Sequence, residues 1–178
     1  MLSRPLSTIE LTVLGIISKQ GPCKAYAVMR ELATSSSSYY RSGAGTIYPS
    51  VARLLKAGYL TVSDPETKTY VLSTKGRAAL EEWLSSPVSD HDLHHTVDLV
   101  RLRTYFLQAV EPARRRALLT DALARMKSHL ATMRPKVAAY QKSGDPFSAL
   151  AMEGTILETE ARIAWMERLL ARLDEMSA

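Results

Sequence analysis

A segment in the first half of the chain combines hydrogen-bond donors on one side with apolar residues on the other. Apolar residues recur there at helical spacing and predict a helix over residues 44–57. Its other side carries only groups that can donate a hydrogen bond, two of them cationic and none acidic: Thr46, Tyr48, Ser50, Arg53 and Lys56. Such a face suits a polyanion with acceptor-rich grooves, which points to DNA.

Two plainer readings of the same residues stay open. The helix could be an ordinary solvated helix, and Tyr48 could be a packing residue whose hydroxyl reaches solvent. Pro49 is compatible with the helix because it falls in the first turn, where its missing N–H breaks no hydrogen bond. Gly58 supplies a left-handed stop after the helix. The elements on either side of this helix decide between DNA binding and these two alternatives.

The elements around this helix have a recognisable order. Ser7 and Glu10 form a capping box before a helix that reaches about Lys19, and a second helix follows over residues 24–33, with Tyr26 available to the core. Two β-rich runs around a turn predict a hairpin over residues 59–72, after which Ser73 or Thr74 caps a fourth helix. This is the order of a winged helix-turn-helix, in which the third helix enters the major groove and the wing lies over the adjacent backbone.

At these positions the sequence resembles the PadR-like family of transcriptional regulators. The resemblance is carried by Leu14-Gly15-Ile16-Ile17 with Gly21-Pro22, by Gly45-Thr46-Ile47-Tyr48-Pro49 with Arg53-Leu54 and Gly58, and by Tyr70-Val71-Leu72-Ser73-Thr74-Lys75-Gly76-Arg77. One departure is Lys24-Ala25-Tyr26, where the family often has His-Gly-Tyr. The resemblance implies a regulator that binds operator DNA, dimerises through a C-terminal helical unit and, in some members, responds to small aromatic or drug-like ligands.

The predicted DNA-binding surface includes residues on both sides of the third helix. Arg53 is the best candidate to read a guanine edge, whereas the flanking residues and the wing would position the backbone. The predicted contacts are Lys24, Tyr39, Tyr40, Arg41, Ser42, Thr46, Tyr48, Ser50, Arg53, Lys56, Lys68 and Thr69. The first 86 residues carry ten Lys and Arg against six Asp and Glu, and the remainder thirteen against twelve. The basic excess therefore falls on the half that is predicted to bind DNA.

The second half is patterned as a helical unit. Ser85-Ser86-Pro87-Val88-Ser89 marks a boundary between a winged helix-turn-helix domain over residues 1–86 and a helical domain over 90–178. A helix from Asp90 or Asp92 to about Val110 is followed by two long helices with apolar residues at alternating steps of four and three, joined at Ser143-Gly144-Asp145-Pro146. This pattern is typical of an antiparallel hairpin with coiled-coil packing. The predicted fold is mainly α with a small β-hairpin.

The last helix has more apolar surface than a hairpin seam uses, which indicates a homodimer that reads a pseudo-palindrome. The predicted dimerisation residues are Ile156, Leu157, Ile163, Trp165, Met166, Leu169, Leu170 and Leu173. The alternative is that the surplus packs against the helix over residues 90–110 in the same chain. A cavity that accepts an aromatic effector is a further expectation, and its candidate lining is Trp83, Tyr105, Tyr140 and Trp165, which could equally be plain core.

Other functions find little support in the sequence. No Gly-rich phosphate loop, nucleophile elbow or catalytic cluster is present, so neither an enzyme nor a cofactor is predicted. His91, His94 and His95 could share a helical face, but a solvated helix start explains them better than a metal site. The single cysteine, Cys23, is read as a small apolar residue, and the absence of a membrane span or signal core predicts a cytoplasmic protein. The competing function is a winged-helix protein–protein module without a DNA target.

Overall fold

The computed structural model describes residues 4–33, 44–88 and 99–177. The chain divides into two compact units, Met1–His94 and His95–Ala178. The described elements of the first unit are α1 (Thr8–Gln20), α2 (Ala25–Ala33), α3 (Ala44–Lys56), β1 (Leu60–Asp64), β2 (Thr69–Leu72) and α4 (Thr74–Ser85). This mainly helical unit with a two-stranded hairpin confirms the predicted winged helix-turn-helix order.

Helix α1 begins at the predicted capping box. The backbone N–H of Ser7 donates to Glu10 Oε2 at 2.7 Å, and the Ser7 hydroxyl lies 3.0 Å from the same oxygen. The helix ends at Gly21, whose φ of +76° is in the left-handed region. Helix α2 begins at Ala25, one residue after the predicted start, because the Lys24 carbonyl accepts the hydrogen bond from Ala27 N at 2.9 Å.

A single hydrophobic core fixes these elements to one another. It is built from apolar side chains of α1, α2, α3, both strands and α4, with Leu14, Val28, Ile47 and Leu60 almost completely buried. Tyr26 is a correction: its side chain is 57% exposed instead of packed in the core. The buried positions of α2 are Ala25, Val28 and Leu32, so Tyr26 lies on the opposite side of this helix.

The end of α3 is held by the first turn of α4. Gly58 has a φ of +76°, and Tyr59 N donates to the Leu54 carbonyl at 2.9 Å, which completes the predicted left-handed stop. Ser73 is the cap of α4, since its Oγ accepts from Gly76 N at 3.0 Å and donates to the Gly58 carbonyl at 2.7 Å. Lys75 Nζ donates to the Ala57 carbonyl at 2.8 Å and lies 4.2 Å from the centre of the Tyr59 ring.

The second unit is a helical hairpin with a short preceding segment. Helix α5 spans Leu99–Thr104 and is followed by a 3₁₀ turn at Leu107–Ala109; α6 spans Pro112–Lys142 and α7 spans Pro146–Ser177. A continuous helix up to Val110 was expected, and this expectation is wrong for the described part. Leu99, Leu102 and Phe106 are exposed, so no buried face extends that helix. The predicted start at Asp90 or Asp92 lies outside the described residues.

The two long helices pack as the heptad pattern predicts. Leu130 and Met133 of α6 meet Met152 and Ile163 of α7 in one buried cluster. Ion pairs connect the helices beside this seam, among them Arg116–Asp174, Lys127–Glu167 and Arg134–Glu160. Among exposed side chains such pairs contribute little to stability, so the apolar seam is what holds the hairpin together.

Candidate nucleic-acid interface

Helix α3 presents a polar face made of donors. Thr46, Tyr48 and Lys56 are exposed, whereas Ile47, Val51 and Leu54 are buried in the core of the unit. The buried face fixes the orientation of the helix, and the exposed face is therefore displayed on a rigid element. Tyr48 is 47% exposed, which leaves its hydroxyl available to a partner.

Ser50 is a correction among the predicted contacts. Its side chain is buried, and its hydroxyl donates to the Thr46 carbonyl one turn earlier at 2.8 Å. Position 50 lies three residues after Ile47 and four before Leu54, so it follows the buried stripe of α3 and not the outer face. Its hydroxyl satisfies the helix backbone instead of reaching outward.

Arg53 lies between the inner and the outer face of α3. Its side chain is 38% exposed, and its guanidinium pairs with Oε1 of Glu10 from α1. Glu10 is completely buried. The Arg4 guanidinium lies 3.5 Å from the other carboxylate oxygen, Oε2. Desolvation, and then the positive charge of Arg4, lower the pKa of Arg53, but a guanidinium remains charged in proteins.

The wing begins next to the start of α2. Cys23 and Tyr70 exchange two backbone hydrogen bonds, Cys23 N to Tyr70 O at 3.2 Å and Tyr70 N to Cys23 O at 2.9 Å. This bridge places Lys24 beside the hairpin, so two predicted backbone-contacting elements are joined. Burial of Cys23 raises the pKa of its thiol, which agrees with an inert apolar role.

The wing turn is organised by Asp64. Its Oδ2 accepts from the Thr67 hydroxyl at 2.6 Å and its Oδ1 from Glu66 N at 2.9 Å. Lys68 follows in a left-handed conformation with φ of +52°, and Thr69 pairs with Asp64 across a bulge. Lys68 is exposed at this turn and Thr69 is half-buried, with its hydroxyl 2.8 Å from that of Ser63.

The hydrogen bonds at the wing predict an acid-sensitive turn. The Thr67 hydroxyl, the backbone N–H of Glu66 and more weakly the charge of Lys24 lower the pKa of Asp64. A lowered pKa means that the turn is stabilised above the ordinary pKa of aspartate, and that this stability is lost as pH falls through the lowered pKa. We expect Thr67→Val to raise the pKa of Asp64 in an NMR titration of its carboxyl carbon. Thr61→Val, on the exposed part of β1, is the control, and an equal change in both variants would contradict the assignment.

The other predicted site residues fall in several places. Tyr39, Tyr40, Arg41 and Ser42 lie outside the described residues, as do His91, His94 and His95. Within residues 4–33, 44–88 and 99–177, no group of three or more His, Cys, Asp or Glu could hold a metal ion. Over the same ranges, none of the helices has the length and apolarity that crossing a bilayer requires.

The predicted dimerisation residues of α7 separate into two sets. Ile163 and Met166 are buried, and Ile163 belongs to the cluster shared with α6, so these two already pack inside the chain. This is a correction, because a buried side chain does not form an exposed partner surface. Leu157 is 66% exposed. The remaining members, all partly exposed, are Ile156, Trp165, Leu169, Leu170 and Leu173.

The four aromatic residues proposed for an effector cavity divide between the two units. Trp83 belongs to α4 of the first unit, while Tyr105, Tyr140 and Trp165 belong to the second. Tyr140 packs against the core of the hairpin, and Tyr105 is highly exposed. A cleft of about 410 Å³ in the second unit is lined by other residues: Pro112, Ala113, Arg115, Arg116, Leu173, Asp174 and Met176. The effector cavity remains a prediction.

Sequence reasoning missed the partners of Arg53. The sequence indicates only the capping-box role of Glu10, and it indicates no role for Arg4. The capping-box spacing explains why Glu10 points back toward the start of α1, but nothing in the spacing connects residue 10 with residue 53. Only the packing of α1 against α3 brings the two side chains together.

Comparisons with known proteins agree with this arrangement. The sequence model of the transcriptional regulator PadR-like family matches residues 13–82, and that of the virulence activator alpha C-terminal region matches residues 98–174. Among curated proteins, none matches the chain.

Several solved structures share the fold over nearly the whole chain. Bacillus subtilis PadR in complex with operator DNA is 20% identical, with a TM-score of 0.78, and the alignment covers 94% of this chain and 99% of that one. The same protein in complex with p-coumaric acid is 21% identical, with a TM-score of 0.77 and coverage of 94% and 99%. The Vibrio cholerae virulence activator AphA is 20% identical, with a TM-score of 0.75 and coverage of 95% and 99%.

These neighbours are transcriptional regulators and not enzymes, and their shared fold has the winged unit and the C-terminal helices described above. Over residues 13–82, the chain is similar to the transcriptional regulator PadR-like family.

Proposed function

We propose that the chain is a sequence-specific DNA-binding regulator that acts as a homodimeric repressor on a pseudo-palindromic operator. The observation that carries the proposal is the exposed face of α3, which has no acidic residue. The opposite face of α3 is buried in the core of the winged unit, which holds the exposed face in place. Thr46 and Tyr48 are the candidates for the groove, and Lys56 for phosphate. A similar fold in complex with operator DNA supports the assignment.

The proposed orientation places the wing and the start of α2 over the DNA backbone. Lys24 and Lys68 are exposed, and the Cys23–Tyr70 bridge keeps their two elements adjacent. Tyr26 is also exposed near the start of α2, where its hydroxyl can donate to a phosphate. Because phosphate contacts carry no sequence information, these residues would set the register while α3 reads the bases.

Dimerisation is proposed through the outer side of α7. Leu150, Leu157, Ala161 and Ala164 recur at steps of seven, four and three, and all are exposed. They therefore form a stripe separate from the buried seam with α6. A stripe of this length on a soluble helix suits a second copy of the same chain, and two-fold symmetry doubles the number of base contacts.

A small aromatic effector is proposed to relieve binding, because a similar fold is known with p-coumaric acid. The protein would act where its operator lies, in the cytoplasm. A reporter gene placed behind the operator tests the sign of regulation, since a repressor lowers its expression and an activator raises it.

A salt series tests the DNA-binding function directly. We expect the full chain to select duplexes from a randomised library and to bind them far better than a scrambled duplex of the same composition. Each neutralised phosphate should contribute about −0.9 to the slope of log K against log salt. Fluorescence anisotropy between low and physiological salt measures both quantities. Failure to bind any duplex at low salt would favour the protein–protein module.

A further inference from the structure

The buried carboxylate of Glu10 connects the start of α1 to the DNA-facing helix. Glu10 is completely buried, and both its oxygens are engaged. Oε2 accepts from Ser7 N at 2.7 Å and lies 3.0 Å from the Ser7 hydroxyl, while Oε1 faces the Arg53 guanidinium. The charge of the Arg53 guanidinium therefore balances this oxygen.

A carboxylate in this setting has little freedom. Its Oε2 is fixed by the capping box of α1, and a buried charge that loses its partner destabilises the fold strongly. Arg53 must therefore keep part of its guanidinium on Glu10. A guanidinium has five N–H donors in a rigid planar fork, and the Arg53 side chain remains 38% exposed. The donors not used by Glu10 are consequently held in one orientation at the edge of α3.

We propose that Glu10 is a positioning residue of the DNA-binding surface, whose buried carboxylate orients the Arg53 guanidinium toward the base edges. This inference rests on the DNA-binding function proposed above. A pre-oriented fork loses less side-chain entropy on binding than a free arginine, and it presents its donors at a fixed angle. Arg4, 3.5 Å from Glu10 Oε2, supplies a second positive charge at the same carboxylate. Glu10 thereby stays compensated when Arg53 also engages DNA.

The test compares Glu10→Gln with the wild-type chain on two duplexes. One is a duplex that the wild-type chain selects from a randomised library, and the other is its scrambled counterpart. We expect Glu10→Gln to weaken binding to the selected duplex about tenfold and to leave the scrambled duplex nearly unchanged. Glu81→Gln removes the same charge from an exposed position of α4 and should bind both duplexes as the wild type does.

A purely structural role for Glu10 makes a different prediction. In that case Glu10→Gln should weaken binding to both duplexes equally, in proportion to the unfolded fraction of the variant measured by circular dichroism. A double-mutant cycle separates the two roles, because Arg53→Lys keeps a cation opposite Glu10 but removes the fork. If Glu10 acts through Arg53, Glu10→Gln should change discrimination much less in the Arg53→Lys background. Equal effects in both backgrounds would overturn the inference.

Glu10→Asp keeps the inference testable if Glu10→Gln fails to fold. It preserves the charge but withdraws the carboxylate by one methylene, so we expect a folded chain with reduced discrimination. Unchanged discrimination in folded Glu10→Asp or Glu10→Gln would overturn the positioning role alone. A wild-type chain that selects no duplex would overturn the DNA-binding function itself, and this inference with it.

Discussion

Gly76→Ala should destabilise the winged unit by about 3 kcal/mol or more, at the upper end of the cost of overpacking a core. A Cβ at position 76 would overlap the backbone carbonyl oxygen of Tyr59, and it would lie 3.0 Å from the carbonyl carbon. Neither the first turn of α4 nor the backbone at Tyr59 can move easily to relieve this overlap. Gly76 lies in the first turn of α4, where its N–H donates to the Ser73 cap, and Tyr59 O accepts from Ser73 N at 3.1 Å.

The loss is large relative to the stability of a small unit, whose total free energy of unfolding is about 5–15 kcal/mol. Thermal unfolding followed by circular dichroism should show the melting temperature reduced by more than about 10 °C. Binding to DNA should weaken as well, because the first turn of α4 holds the end of α3 through Ser73 and Lys75.

Gly15→Ala is the matched control for this prediction. Gly15 lies inside α1 of the same unit, and an added Cβ would meet only Leu80 Cδ1 at 3.9 Å, which is an ordinary contact. Alanine favours the helix over glycine, so this variant should be neutral or gain about 0.5–1 kcal/mol. Similar melting temperatures for Gly15→Ala and Gly76→Ala would show that α4 can move away from Tyr59.

Local signals in the sequence were enough to predict most element boundaries. Gly58 indicated the end of α3 because a left-handed stop depends on one residue, and Ser73 was one of two candidates for the α4 cap. The capping box at Ser7 and Glu10 placed the start of α1 for the same reason. Each of these features is complete within a few consecutive residues, so no tertiary contact is needed to recognise it.

Features that depend on tertiary packing were not predictable in this way. Ser50 was assigned to the outer face because it is polar, but the buried stripe of α3 is wide enough to include it once its hydroxyl bonds to the backbone. Tyr26 is expected in the core from the sequence, but Ala25, Val28 and Leu32 are the residues of α2 that are buried there. The Glu10–Arg53 pair joins residues far apart in sequence, and only the packed helices bring them together.

The apolar residues of α7 also show that a local sequence pattern does not determine tertiary packing. Heptad spacing predicted the hairpin correctly, but it could not separate the residues of α7 that pack on α6 from those that stay exposed. Ile163 and Leu157 are both apolar and both follow the helical repeat, yet Ile163 is buried and Leu157 is 66% exposed. The structure therefore changes which substitution tests dimerisation, since a charge at position 163 would damage the hairpin itself.

Leu157→Asp should convert the protein to a folded monomer. The aspartate would lie in the centre of the exposed stripe of α7, where two like charges would face each other across a two-fold axis and lose the apolar contact. Light scattering should give the mass of one chain, 19.7 kDa, with an unchanged circular dichroism spectrum. Affinity for the selected duplex should fall about 100-fold or more, because the two half-sites would no longer be bound by one linked particle.

Two further variants decide what a loss of dimerisation means. Leu84→Asp places the same charge on an equally exposed leucine of α4, 69% exposed, and should leave the dimer intact. Ile163→Asp buries a charge in the α6–α7 seam and should reduce helicity, because an unpaired buried carboxylate costs several kcal/mol. If Leu157→Asp remains a dimer while keeping its helicity, the partner surface lies elsewhere on the chain. If it loses helicity as Ile163→Asp does, Leu157 supports the hairpin and not the dimer.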